Sequence, residues 1–415
     1  MSGTTRPLRV AYVTMRYPLA SETFVTNDVW ALTQLGHEVE VHALRASPDD
    51  AALVRARGVE HVPVIRAAAL RRIGLRAALA APALASASLR WLIGLHRSET
   101  RALAAALWLW PAALGSALVA RDRGADVVHL RWGHHPALVG ALAVEVHPRA
   151  VVSLSLSAYD LEARLPVSRW LAPRADVVRT LARCNVPAIV SGYGRPADAV
   201  EVIVNGVPDA ILDADLTEPE WGLVVTAGRL IASKGVHRVV RAFARARAAR
   251  PDGDLRAEPR LEILGDGPER PALERLAGRL GIRQHVTFRG MVPYSEVIAT
   301  MRRAAVMVFL SSKTSERLPN VIKEALACAT AVVSSRTPGI TELVRDNETG
   351  VLVDHDDEAA IARALVDLLD DPARARGLAL AGRDHVRSAF RLSDSARAYE
   401  RAWREALERR RSTAA

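Results

Sequence analysis

The feature that most constrains this chain is a regular alternation: short runs of β-branched and aliphatic residues are separated, along the whole length, by segments of helical periodicity. Strands are predicted at 8–14, 39–44, 127–130, 151–156, 177–181 and 200–204, and a second series follows at 223–226, 261–264, 286–288, 306–310, 331–334 and 351–353. Between them lie amphipathic patterns such as Val25, Val29 and Leu32, stopped by Gly36, and Val236, Val239, Val240 and Phe243. Strand and helix in strict alternation predict parallel sheets covered on both faces. The pattern restarts after an acidic, proline-containing run at 209–220, read as a linker. The expected class is therefore α/β, with two doubly wound Rossmann-like domains facing each other across a cleft: 1–208, 209–392, and a tail at 393–415.

Composition narrows the functions. The chain has 415 residues, half of them apolar, which is ample for conventional cores, and its 25 Gly and 22 Pro follow no short period. The 56 basic residues exceed the 46 acidic ones by ten, and only Lys234, Lys313 and Lys323 are lysines. A basic surface suits nucleic acid, an anionic membrane or phosphorylated small molecules. Aromatic residues make up only 5% and do not interleave with a basic stripe, so nucleic acid is not expected as a partner. Two cysteines, Cys184 and Cys328, are too few for a disulfide framework or a thiolate metal site. Arg6 and Arg9 run straight into a strand with no secretory pattern, and the expectation is a cytoplasmic protein.

The stretch 102–120 carries no charged residue and reaches the length of a membrane span, but it is Ala-rich with Pro111 at its centre. A buried or interface-lying helix is expected. Upstream, Arg66, Arg71, Arg72, Arg76, Arg90 and Arg97 alternate with Leu70, Ile73, Leu75, Leu84, Leu89, Trp91, Leu92 and Leu95. Two readings stand side by side: peripheral contact with an anionic membrane, or an ordinary solvated helix face.

Four motifs fall at the C-terminal ends of predicted strands. Gly228-Arg229-Leu230 with Lys234-Gly235 places a guanidinium and an ammonium at a glycine-bearing turn, a combination able to neutralise a diphosphate. Gly265-Asp266-Gly267-Pro268 permits close backbone approach to a ligand. Glu316 to Glu324 sets carboxylates, able to accept from sugar hydroxyls, beside a helix expected to begin at Pro319, and Thr337-Pro338-Gly339 follows a further strand. Alone, each has a plain alternative as a turn, a cap or a solvated carboxylate. His129, His134 and His135 match no standard zinc spacing, and no metal is expected.

In combination and order, these motifs with Val286-Thr287-Phe288-Arg289-Gly290, Pro338 to Leu343 and Thr349 to Val353 resemble the retaining glycosyltransferases of family 4, which have the glycosyltransferase B (GT-B) fold. Ser21 to Val25 and Gly36 to Val39 resemble the N-terminal domains of polysaccharide-building members. The resemblance implies a nucleotide-sugar donor, UDP-sugar preferred, and a hydroxyl acceptor on a glycan, a lipid-linked oligosaccharide or a small natural product. Arg229 and Lys234 would stabilise the leaving diphosphate, Glu316 would contact the donor sugar and Glu324 the ribose. Leu318, Pro319, Asn320 and Gly265 would line the donor, Met291 and Val292 would approach the base, and the backbone from Ser21 and Glu22 would reach the phosphate. Ser157 and Asp160 would lie on the acceptor and donor-sugar side, and neither metal nor cofactor is implied. Two departures stand out: Arg317 replaces a usual Gly or Ala, and Ser157 replaces a usual His. Nucleotide-sugar epimerisation on the same architecture, or non-catalytic nucleotide-sugar binding, are the alternatives. The amphipathic tail with Tyr399, Trp403 and Leu407 is expected to form a helix that crosses back to the first domain.

Overall fold

Aliphatic runs buried on both faces favour parallel pairing, and every pairing between named strands is parallel. The computed structural model describes residues 6–47, 51–97, 99–249 and 258–414. Strands β1 (Arg9–Thr14), β2 (Glu38–Ala43), β3 (Val64–Ile65), β4 (Val127–Leu130), β5 (Val151–Ser155), β6 (Val177–Thr180) and β7 (Val200–Val202) form one sheet in the order β3-β2-β1-β4-β5-β6-β7. Strands β8 (Glu220–Ala227), β9 (Arg260–Leu264), β10 (Val286–Gly290), β11 (Ala304–Phe309), β12 (Ala331–Ser335) and β13 (Val351–Val353) form a second, in the order β10-β9-β8-β11-β12-β13. In each sheet the order reverses beside the first strand, between β1 and β4 and between β8 and β11. In open α/β sheets, ligands bind at such reversals, outside the carboxyl ends of the strands.

Two compact units contain these sheets. The first runs to Gly206 and takes the chain in again from Leu392; the second is Val207–Arg391. The acidic run read as a linker belongs to the second unit, because ion pairs hold it there. Arg391 lies 2.7 Å from Asp209 and 2.5 Å from Asp213, and Arg383 donates to the carbonyl of Leu212 at 2.7 Å. The helix Leu392–Ala414 buries Leu392, Ala396, Tyr399, Ala402, Trp403 and Ala406 against Tyr12, Val127, Val151 and Val177 of the first sheet. Spacings of three and four residues put these side chains on one helical face.

The uncharged stretch 102–120 lies in the helix Thr100–Asp122, with Pro111 inside it. By length and mean hydropathy this is the one helix among the described residues apolar enough to cross a membrane, yet 61% of its most apolar window is buried in the protein. Residues 112–120 are core, as the expectation of a buried helix required. Its partner is the helix Ala67–Ala80, and the two approach backbone to backbone through Gly74 and Gly115. A Cβ on Gly74 would lie 1.9 Å from the Pro111 carbonyl oxygen, and one on Gly115 equally close to that of Leu70, so only glycine fits at either crossing position.

Candidate functional site

At the reversal in the second sheet, the loops leaving β8 and β11 meet. After β8, Gly228 adopts φ 145° and its N–H donates to the Leu264 carbonyl at the end of β9. Gly235 sits at φ 68°, where a Cβ would lie 2.0 Å from the Leu310 carbonyl oxygen; a glycine is required by conformation and by space. Gly265 and Gly267 are as tightly placed: their Cβ atoms would strike the carbonyls of Gly228 and Leu230 at 2.1 and 2.5 Å. The glycines singled out in the sequence thus allow three loop backbones to lie against one another at the strand ends.

This arrangement carries Lys234 to Glu316, 82 positions away in sequence, and the ammonium donates to Glu316 Oε1. The Ser311 hydroxyl and the Ser312 N–H both donate to the Ser233 carbonyl, at 3.0 and 2.9 Å, and fix the register of the two loops. Glu316 Oε2 is buried without a hydrogen-bond partner. Arg229 is exposed and forms no ion pair among the described residues. Glu324 is buried in the helix Asn320–Ala327 and accepts from the Tyr294 hydroxyl at 3.0 Å. Tyr294, which holds that carboxylate, had no signal in the sequence: it opens an unremarkable helix 30 positions upstream.

Pro319 was expected as the first helical residue and instead caps the helix. Its ring fixes φ at −58°, but ψ is 128°, so the chain arrives extended and Asn320 begins the turn. Leu318 is buried, whereas Met291 is 67% exposed and Val292 half-buried. The long Arg317 side chain donates to the Thr314 carbonyl in its own loop. The second unit therefore brings together a fixed ammonium–carboxylate pair, a free guanidinium, a helix N-terminus and a second oriented carboxylate. That set can neutralise an anion and accept from neighbouring hydroxyls.

In the first unit the outcome differs. Ser157 and Asp160 form a capping box on the helix Ala158–Ala163: the Ser157 N–H and hydroxyl both donate to Asp160 Oδ2, at 2.8 and 2.7 Å. Asp160 Oδ1 stays buried and unpartnered. Ser21 is exposed in a short 3-10 turn, Ala20–Glu22, and Glu22 has its carboxyl pushed up by burial, which Arg131 and Trp132 partly offset. His129 is a core residue, hydrogen-bonded to Ser153 at 3.0 Å and packed in tilted and edge-on contacts with the rings of Tyr12, Tyr399 and Trp403. Among the described residues, the one cluster with metal-ligand spacing is the exposed or half-buried Asp354, His355 and Asp356, consecutive in sequence and outside the β8 and β11 loops.

Sequence reading also missed a buried charge network beneath the first sheet's reversal. Arg131 and Arg179 are fully buried and share Asn205 Oδ1, at 2.9 and 3.0 Å. Arg131 lies 3.2 Å from Asp28, which also accepts from Tyr12 at 3.0 Å. Burial opposes the Arg131 charge, but Tyr12 and Asp28 outweigh it and raise its pKa. These residues are scattered over some 190 positions, from Tyr12 to Asn205, and an arginine inside a strand run carries no periodicity that announces a partner.

The comparisons with known proteins bear on both units. The family model described as glycosyl transferases group 1 matches residues 213–385, which hold the whole β8–β11 site. A GDP-mannose-dependent alpha-(1-6)-phosphatidylinositol monomannoside mannosyltransferase of Mycolicibacterium smegmatis is 34% identical over 267 residues, covering 60% of this chain and 68% of the relative. A D-inositol 3-phosphate glycosyltransferase of Acidothermus cellulolyticus is 34% identical over 255 residues, 58% of this chain and 55% of that protein. The fold extends across the chain: Anabaena Alr3699/HepE, solved in complex with UDP and glucose, superposes with a TM-score of 0.68 over 95% of this chain and 98% of that one, at 16% identity. The architecture is GT-B, and the chain belongs to the family 4, group 1 glycosyltransferases.

Proposed function

We propose that the protein is a retaining glycosyltransferase that holds a nucleoside-diphosphate sugar on the second unit and a hydroxyl acceptor on the first. The observation that carries this reading is the Lys234–Glu316 pair at the β8–β11 reversal, flanked by Arg229 and by the Tyr294-oriented Glu324. In this reading Arg229 and Lys234 meet the diphosphate, Glu316 takes the donor-sugar hydroxyls, and Glu324 the ribose. Leu318, Pro319, Asn320 and Gly265 line the donor, Met291 and Val292 reach the base, and Ser21 and Glu22 approach the phosphate. Ser157 and Asp160 lie on the sugar side, where Asp160 Oδ1 is the unpartnered atom.

As the bond from the anomeric carbon to the phosphate oxygen breaks, its electron pair passes to the diphosphate, where Arg229 and Lys234 stabilise the growing charge. The acceptor oxygen attacks from the same face and gives its proton to the departing phosphate oxygen. Two side-chain cations supply the neutralisation, so the reaction is proposed to need no metal and no cofactor. The donor expected from sequence is a UDP-sugar. The mannosyltransferase relative at 34% identity is GDP-mannose-dependent, and the likeness to the UDP-bearing structure is one of fold at 16% identity, so GDP-mannose becomes the first donor to try.

Peripheral contact with the cytoplasmic face of an anionic membrane is part of the proposal. Leu75, Leu79, Ile93 and Trp108 stand exposed on the helices between 67 and 122, Leu79 by 82%, among Arg71, Arg72, Arg76 and Arg90. The test is turnover of GDP-mannose and UDP-glucose with an acceptor panel, with and without EDTA, followed by NMR of the product's anomeric coupling. Transfer with the donor's α configuration kept and EDTA without effect is the expected result. An inverted product overturns the mechanism, donor binding without turnover points to a non-catalytic binder, and a changed free nucleotide sugar points to an epimerase.

A further inference from the structure

The first sheet has its own reversal, and the loops leaving β1 and β4 open into a pocket of about 750 Å³ that none of the residues discussed above as donor or sugar contacts lines. Its walls come from separate stretches of chain. Arg16 follows β1, Arg45 follows β2, His134 and His135 follow β4, Tyr159 lies in the helix after β5, and Arg101 stands in the first turn of the helix Thr100–Asp122. Arg16, Arg45 and Arg101 are exposed, and none is ion-paired among the described residues; Glu99 is the one carboxylate in the lining. The Arg45 guanidinium sits 4.9 Å from the Trp108 ring centre, which holds it at the pocket's edge.

The remaining wall is of another kind. His134 stacks on Trp132 at 5.7 Å and meets Tyr159 edge-on at 5.6 Å. Its Nδ1 accepts the His135 N–H at 2.8 Å, so the neutral ring carries its proton on Nε2 and offers a donor. Burial lowers the pKa of both histidines, that of His135 to about 4, so at neutral pH they present hydrogen bonds without charge. Three guanidiniums and uncharged ring donors in one lining match a ligand that carries both an anionic group and hydroxyls.

We infer that this pocket binds a phosphate-bearing polyol, with Arg16, Arg45 and Arg101 on the phosphate and His134 and Tyr159 on the hydroxylated body. Calling that ligand the acceptor rests on the transferase reading; its binding does not. The phosphate belongs to a soluble cyclitol or sugar phosphate, or to a phospholipid headgroup presented beside the exposed apolar helices.

The probes are myo-inositol 1-phosphate against myo-inositol in calorimetry, and phosphatidylcholine vesicles with and without phosphatidylinositol in flotation. The proteins are wild type, the triple variant Arg16→Gln, Arg45→Gln, Arg101→Gln, and a charge-matched control at exposed arginines outside the pocket and outside the apolar helices, Arg149→Gln, Arg363→Gln, Arg401→Gln. GDP and UDP binding is measured on each. The expected result is saturable binding of one phosphate probe, lost by about tenfold or more in the pocket variant. The charge-matched control keeps that preference, and the pocket variant keeps nucleotide binding. Preference for the soluble phosphate identifies a soluble acceptor class, and preference for phosphatidylinositol vesicles alone a lipid-anchored one. If myo-inositol 1-phosphate is not preferred over myo-inositol and phosphatidylinositol vesicles are not preferred over phosphatidylcholine alone, or the two triple variants lose binding equally, the inference is overturned while intact nucleotide binding leaves the transferase reading standing. Phosphate binding without nucleotide binding gives the converse.

Discussion

Lys234 and Glu316 show how a sequence motif becomes chemistry: 82 positions separate them, and glycines without room for a Cβ bring their loops into contact. Removing the cation leaves Glu316 with an unopposed charge at a partly buried place and withdraws transition-state stabilisation. Lys234→Ala and Glu316→Gln are each expected to lower kcat by about 10²- to 10³-fold with a smaller change in KM, read from steady-state turnover. Acid stability belongs to this scale as well. Burial holds His129, His134 and His135 below the ordinary histidine value of 6.5, His135 at about 4. Between those pH values the unfolded chain binds more protons than the folded one, so stability is full above about pH 6.5 and falls as pH drops toward 4. Urea melts at pH 7.5, 6 and 5 are expected to show this decline, with a shallower slope in His135→Gln. The motif residues were legible because a turn chemistry marks each one. Arg131, Arg179 and Tyr294 were not, because a single buried polar side chain looks the same in sequence whatever it touches.

Among the elements, the strands were the most readable. Twelve of the runs predicted from aliphatic clustering lie within a residue or a few of the observed ends, since a strand covered on both faces must be apolar throughout. β3 escaped because Val64–Ile65 is two residues long and half-buried. The helix Thr100–Asp122 carried two possible meanings in sequence, a span or a core helix, and packing decides between them. Its C-terminal half is enclosed, and Gly115 crosses Gly74 with no space for a side chain. Gly115→Leu is expected to destabilise the first unit by about 3 kcal/mol or more, read as a lowered urea midpoint, with GDP or UDP binding retained at low denaturant. The same substitution at the solvent-facing Gly94, where a Cβ meets nothing within 4 Å, is expected to be nearly silent.

For the whole molecule, the alternation of strand and helix made the fold legible, but the partition of the chain came from interactions invisible to periodicity. Tyr399 and Trp403 dock the last helix on the first unit, and Arg391 with Arg383 holds the 209–214 segment to the second. The exposed apolar and arginine residues between 67 and 108 belong to this scale too. Leu79→Ser with Ile93→Ser is expected to reduce flotation with phosphatidylglycerol vesicles several-fold, and 0.5 M salt to weaken the wild-type interaction, because surface electrostatics are screened. The central claim is that the β8–β11 reversal binds a nucleoside diphosphate by its own cations and carboxylates. Calorimetry of GDP and UDP against wild type, Arg229→Ala and Glu324→Ala, each with and without EDTA, tests it most directly. The account predicts saturable binding of one of the two by the wild type, unchanged by EDTA and weakened at least tenfold by either substitution. No binding of either nucleotide, or binding that survives both substitutions, would contradict it.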